Sequence, residues 1–248
     1  MEAIRRKMHT FANKLLHDRK RQLITAAAAF FIVYVLLMSG IFSYFHSKDS
    51  VTNRMNAKGG SVTIYEPSWD SSGQFKAKAS EPGMKIEKDP YGYNNGQSDV
   101  FIRLKMTIDT SNYTAKNETY AVNFPDDKSK RTAAILSAIK LENGDPLING
   151  TVTNNPDFIM SAVVENEKTV YYFYYTGENS DTMKLVKPQE STKELFNHID
   201  IPVYKKDYFG VFDQPYNITL EAEGVPASNY PNGLTAAEAM TSGSPFNG

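Results

Sequence analysis

Residues 100–108 read VFIRLKMTI, and this stretch decides the fold. From Ile102 onward apolar and polar side chains alternate, which is the period of a half-buried strand, whereas the first three residues are apolar without a break. A strand with this pattern fits the interior of a sandwich. Residues 170–175 read VYYFYY, and their aromatic side chains indicate a second strand.

Further short strands lie on both sides of these two, separated by turns rich in Gly, Pro, Asn and Asp. Short strands without a long amphipathic helix predict an all-β sandwich rather than a βαβ fold. The other predicted strands are 62–65, 158–160 and 216–222. The predicted turns are 81–83, of type II, and 91–96, and the predicted short helices are 131–141 and a single turn at 192–196.

The first 43 residues differ from the rest. Residues 1–22 hold seven Lys or Arg side chains, and residues 23–43 read LITAAAAFFIVYVLLMSGIFS without a charge. As a helix, residues 23–43 would extend about 30 Å, the thickness of a bilayer's hydrocarbon core. The positive-inside rule then predicts a cytoplasmic N-terminus and export of everything after residue 43.

Two fates are open for this helix. Signal-peptide cores usually run about 7 to 15 apolar residues, so the longer stretch at 23–43 favours an uncleaved transmembrane anchor. The small residues at its end favour a signal peptide cut between Ser43 and Tyr44, although Ile41 fits the small-residue rule poorly.

Composition excludes several kinds of chemistry. The chain has no cysteine, which excludes disulfides, thiol nucleophiles and Cys-based zinc sites. Residues 1–43 hold seven basic and two acidic side chains, so 20 basic and 26 acidic ones remain beyond them, a net charge of −6. This acidic balance argues against nucleic acid as a partner.

No pattern in the exported part indicates an enzyme, a cofactor or a metal site. Its histidines are His46 and His198, and it contains no H-E-x-x-H, no G-x-S-x-G and no glycine-rich phosphate loop. Asp126, Asp127 and residues 178–181 offer oxygen ligands for calcium, but without the spacing of an EF-hand. Solvated loop charges are the simpler interpretation.

Two stretches near the start of the exported part resemble a known family. Residues 42–55 read FSYFHSKDSVTNRM and residues 60–70 read GSVTIYEPSWD. The matching features are a small-aromatic-Phe end to the signal, a D-x-x-x-N run, and a first strand that leads into Glu-Pro-x-Trp. In these features the chain resembles the TasA/camelysin family of bacterial proteins exported through the SipW-type signal peptidase. The further matches are 81–83 with 88–90 and 94–96, then 100–104, 192–196 with 199–202, and 218–223.

The resemblance implies a jelly-roll-like β-sandwich and, as in the better-known members, assembly into biofilm matrix fibres. In such fibres an extended N-terminal segment of one subunit completes the sheet of the next. The implied donor strand lies within residues 44–60, with the candidates Tyr44, Phe45, Lys48, Asp49, Val51, Asn53 and Met55. The implied partners are copies of the chain or related matrix subunits, and the signal peptidase during export. The implied location is the extracellular matrix or cell surface of a bacterium.

The resemblance also leaves alternatives open. The long basic head at 1–22 departs from the family, and an uncleaved helix would give a membrane-anchored monomeric binding module. A camelysin-like protease is a remote alternative, because the sequence supplies no metal triad. The predicted organisation is therefore a β-sandwich at 61–231 with an insertion at about 110–165, followed by a flexible tail at 232–248.

Overall fold

The computed structural model of this chain describes residues 62–78, 81–110, 128–165, 168–178, 180–203, 212, 216–241 and 243–247. Contacts divide the chain into two units, residues 1–43 and 44–248, and all of the described residues belong to the second. The predicted helix at 23–43 and the predicted donor segment at 44–60 lie outside the described residues. Within the described residues, no helix is long and apolar enough to cross a bilayer.

Antiparallel strands dominate the regular structure, so the all-β prediction is confirmed. The strands, in chain order, are β1 Val62–Tyr65, β2 Lys85–Glu87, β3 Tyr91–Asn94, β4 Val100–Asp109, β5 Ile139–Lys140, β6 Ile148–Asn149, β7 Val152–Thr153, β8 Phe158–Glu165, β9 Lys168–Tyr175, β10 Leu185–Val186, β11 His198–Asp200 and β12 Asn217–Pro226. The helical elements are a π-helical turn Trp69–Gly73, the α-helices α1 Gln74–Lys78, α2 Lys128–Ala138 and α3 Ala236–Ala239, and 3-10 turns at Ala227–Asn229 and Pro245–Asn247.

The largest sheet is built around β4, which contains the alternating residues 102–108. On one side β12 pairs with β4 along its whole length, from Asn217 opposite Asp109 to Pro226 opposite Val100. On the other side β9 pairs with the middle of β4 and β10 with its first two residues. The hairpin β8–β9 continues the sheet outward, so that β8 forms one edge.

One face of this sheet packs on a second layer. That layer contains the three-stranded sheet β2-β11-β5, the pair β1-β3 and the helix α2. The alternating residues of β4 that face it are fully or almost fully buried, namely Ile102, Leu104, Met106 and Ile108. Burial of each such side chain contributes about 1.5 to 3 kcal/mol to folding. Because this contribution depends on apolar residues at every second position, the alternation in the sequence predicted the strand.

The opposite face of the sheet is covered by the C-terminal segment, residues 227–247. Leu234, Ala236, Ala239 and Phe246 are buried there in a second apolar cluster with side chains from β4, β9 and β12. The prediction of a flexible tail at 232–248 is therefore wrong. Its residues are small and polar in sequence, but the small side chains let the backbone lie close to the sheet. Thr235 and Glu238 cap α3 reciprocally.

The predicted insertion at about 110–165 is part of the domain where it is described. Ile135 of α2, Ile139 of β5 and Leu147 are completely buried in the core between the two layers. β8 closes the insertion and is a full member of the large sheet. Residues 111–127 lie outside the described residues.

Two local predictions are confirmed. Gly83 has a φ of +86°, and the Met84 N–H donates to the Glu81 carbonyl, as the predicted type II turn requires. The helix predicted at 131–141 is present as α2, although it begins three residues earlier and ends three earlier.

Three local features differ from the prediction. Residues 91–96 were predicted to form a turn, but the first four of them form β3. Gly92 of this strand lies close to the side chains of Ile102 and Leu104, where a Cβ atom would not fit. Residues 192–196 form no helical turn, because their backbone bonds to β3 instead, with the Thr192 N–H donating to the Gly92 carbonyl. The helical stretch after Pro67 was not predicted at all, although proline is favoured in the first turn of a helix.

Candidate functional site

The sequence-predicted site residues all precede the first described residue. Ser43 and Tyr44 at the cleavage site, and the donor candidates Phe45, Lys48, Asp49, Val51, Asn53 and Met55, lie outside the described residues. The first element that the structure describes after these residues is strand β1.

A buried ion pair fixes the end of β1. The Lys88 ammonium lies 2.7 Å from the Glu66 carboxylate, with the two side chains only 1% and 9% exposed. The same ammonium stands 4.2 Å from the centre of the Trp69 ring, where the π-electron face attracts a cation. Burying two charges is unfavourable unless they are paired with good geometry, so the three groups stabilise one another only as a set.

A second pair of hydrogen bonds joins the same two segments. The Asp89 carboxylate accepts from the Ser68 N–H at 2.8 Å and from the Ser68 hydroxyl at 2.7 Å. Residues 66–69 and 88–89 thus form one unit, which we call the β1 clasp. The clasp contains the Glu-Pro-x-Trp segment and the first two residues of the Lys-Asp-Pro segment.

The other end of β1 lies against β12. Gly224 of β12 faces Val62, and a Cβ atom on this glycine would come within 2.7 Å of a Val62 methyl group. β1 also pairs with β3 over all four of its residues, from Val62 opposite Asn94 to Tyr65 opposite Tyr91. The strand that directly follows the predicted donor segment is therefore held at both ends.

The large sheet has two long outer strands, β12 and β8, besides the two-residue strand β10, which pairs only with β4 among the described strands. Among the described strands, β12 is paired only with β4 and β8 only with β9. The two differ in exposure, since most of β12 is buried, whereas Val163 and Val164 of β8 are 42% and 76% exposed. An exposed strand edge is a template to which another strand can be added.

The histidine of the described part is buried. His198 is 3% exposed, and its Nε2 lies 3.4 Å from Asp200. Burial lowers the pKa of His198, against the smaller opposing effect of the Asp200 charge. Within the residues that the structure describes, no three His, Cys, Asp or Glu side chains are grouped so as to hold a metal ion.

An open cleft of about 390 Å³ is lined largely by asparagine amides, at positions 143, 154, 155 and 197. Most of these amides are already committed to the protein itself. Asn155 donates to the carbonyls of Glu194 and Leu195, Asn154 donates to that of Pro146, and Asn197 donates to the Glu194 carboxylate. These amides hold loops together, and because most of them are already hydrogen-bonded within the protein, the cleft gives no reason to assign a ligand.

Sequence reasoning missed the two features that matter most in this part of the chain. It did not identify Lys88 as buried, because a lysine in a turn-rich stretch is normally solvated. It recognised residues 158–160 as a strand but not the exposed edge that continues to Glu165. The signal for that edge is the uncharged run FIMSAVV at 158–164.

No protein-family model matches this chain, and no match was found among curated proteins or among solved structures.

Proposed function

We propose that this chain is a non-enzymatic, exported subunit of an extracellular fibre or surface matrix, and that it assembles by strand addition between copies. In this proposal the described domain is a jelly-roll-like sandwich. Export would follow recognition of residues 23–43, and cleavage between Ser43 and Tyr44 would release the segment that joins neighbouring subunits.

The observation that carries the proposal is the rigid attachment of β1. The β1 clasp and the contact between Val62 and Gly224 hold the strand that directly follows residues 44–60. A segment that emerges from such a fixed point can carry load from one subunit to the next. Strand addition then supplies main-chain hydrogen bonds for affinity, and alternate side chains supply specificity.

Open strands on the sheet support the same proposal. Among the described strands, β8 pairs with β9 alone, and an outer strand of this kind favours association with an added strand. The cysteine-free, acidic exported part suits a matrix protein that depends on burial and pairing rather than on disulfides or a bound cofactor.

One alternative is favoured by a specific observation. The uncharged stretch at 23–43 is longer than a usual signal-peptide core, so the helix would remain as an anchor and the domain would act as a monomeric surface binding module. In that case residues 44–60 would be a tether rather than a donor strand.

Electron microscopy of the purified chain beginning at Tyr44 tests the proposal. We expect filaments, and we expect deletion of residues 44–56 to abolish them while circular dichroism stays that of a folded β protein. Phe75→Ser is the control, because this side chain is 78% exposed and lies outside both the donor segment and the β1 clasp. A chain that stays monomeric under all conditions would contradict the fibre proposal.

A further inference from the structure

The outer edge of β8 is unusually exposed for an apolar strand. Its residues Phe158 and Met160 are buried, but from Ala162 onward the strand leaves the core, and Val164 is 76% exposed. The ladder with β9 is continuous from Phe158 opposite Tyr175 to Glu165 opposite Lys168, so no bulge interrupts it. In the described part of the chain, β8 pairs with no strand on its other side.

This edge also lacks the features that normally prevent strand pairing. Residues 158–164 contain no charge and no proline, which are the usual protections of an edge strand. The one charge of β8, Glu165, is engaged elsewhere. Its carboxylate accepts from the Tyr172 hydroxyl at 2.7 Å and lies 3.8 Å from the Lys105 ammonium.

An uncharged edge is best matched by an uncharged strand, and β8 itself has that property. When two copies pair antiparallel about a two-fold axis at Ser161, each residue meets a residue of the same sheet face. Phe158 then lies opposite Val164 of the second copy, Met160 opposite Ala162, and Ile159 opposite Val163. Each of these pairs joins a larger apolar side chain to a smaller one, and both exposed valines become covered.

We propose that β8 is an interface for a second copy of this chain, which pairs edge to edge with it and joins the two large sheets into one continuous sheet. The contact is isologous, since the same residues face each other across the axis. It does not depend on residues 44–60 and would occur whether or not the chain forms fibres. In a fibre it would join neighbouring filaments side by side.

The chain has no cysteine, so a single introduced thiol can report on this contact. In the paired arrangement Ser161 lies directly opposite Ser161 of the second copy, at a separation between opposed strand residues that suits a disulfide. We therefore expect full-length Ser161→Cys, purified in detergent and mildly oxidised, to form covalent dimers at least tenfold faster than Phe75→Cys. Position 75 is the matched control because its side chain is more exposed, at 78%.

A second substitution separates specific pairing from random collision. Val164→Lys places a charge opposite Phe158 of the second copy, and at an exposed position it leaves the fold intact. We expect it to reduce the cross-linking of Ser161→Cys at least tenfold, whereas Phe75→Lys leaves the rate unchanged. Equal rates for Ser161→Cys and Phe75→Cys, or cross-linking that Val164→Lys does not change, would overturn the proposal. Filament formation by the Val164→Lys chain would leave the fibre proposal standing on its own.

Discussion

At the scale of single residues, the domain is marked by buried cations that hold segments together. Lys88 is paired with Glu66 and lies over Trp69 in the β1 clasp. Arg103 pairs with Glu223 on the other side of the large sheet, 4.3 Å from the centre of the Tyr172 ring and 4.7 Å from that of Phe246. In both places the cation pairs with a carboxylate and lies over an aromatic ring.

The β1 clasp gives a first prediction. Lys88→Met leaves the Glu66 carboxylate buried without its cation, so we expect the free energy of unfolding to fall by about 3 to 5 kcal/mol in urea denaturation. The double variant Lys88→Met with Glu66→Gln should recover part of this loss, because it buries no unpaired charge. The matched control is Lys76→Met, which breaks a pair whose side chains are 37% and 39% exposed, and we expect a loss below about 1 kcal/mol.

His198 gives a second prediction, on pH. Its pKa in the folded chain is lowered by burial, so the unfolded chain binds a proton more readily. Stability is therefore full above the unfolded pKa near 6.5 and declines as the pH falls below it, by at most about 1.4 kcal/mol per pH unit. We expect urea midpoints to fall between pH 7.5 and 5.5, and to fall less in His198→Phe. A variant with the same pH dependence as the parent would exclude His198 as the cause.

The burial of single charged side chains is the property that the sequence predicted least well. Alternation along β4 predicted which side chains are buried on the core face, but it also assigned Arg103 to the solvent side, where it is 3% exposed. Its burial depends on Phe246, 143 residues away, and on Glu223 of a neighbouring strand. A contact between such distant residues has no local signature.

At the scale of elements, the C-terminal segment is the main departure from expectation. Its small residues predicted a flexible tail, yet the segment covers one face of the large sheet. The local sign was the capping pair at Thr235 and Glu238, which marks the start of α3. A capping motif of four residues is a weaker signal than the composition of the whole segment, so it did not predict the helix.

This covering role gives a third prediction. Phe246 is 7% exposed and touches Arg103 and Tyr174, so Phe246→Ala should lower the free energy of unfolding by about 3 to 5 kcal/mol. A hydrophobic dye should also bind the uncovered face. Phe75→Ala removes an equal ring from solvent and should change stability by less than about 0.5 kcal/mol. Equal effects of the two substitutions would show that the segment does not cover the sheet.

The contact between β1 and β12 gives a fourth prediction. Gly224→Ala places a methyl group 2.7 Å from Val62, and we expect it to destabilise the domain by about 1 to 3 kcal/mol. Val62→Ala opens space for this methyl group, so in the double variant the two losses should be less than additive. Full additivity in urea denaturation would mean that β1 does not lie against β12.

At the scale of the whole molecule, the sequence predicted the all-β class but not which strands pair with one another. Strands β1, β4, β9 and β12 were recognised because apolar periodicity and aromatic content are local properties. The pairing of β12 with β4, and that of β9 with β4, join residues far apart in the chain. Such pairings depend on which apolar faces fit together, and the pattern of a single strand does not specify its neighbour.

We propose that residues 44–60 become a free donor segment when the chain is exported and cut. N-terminal sequencing and intact mass of the protein recovered from the outside of its own cells test this most directly. We predict a chain that begins at Tyr44. A chain that still begins at Met1 would contradict the processed fibre subunit and would leave the domain as a surface module held by residues 23–43.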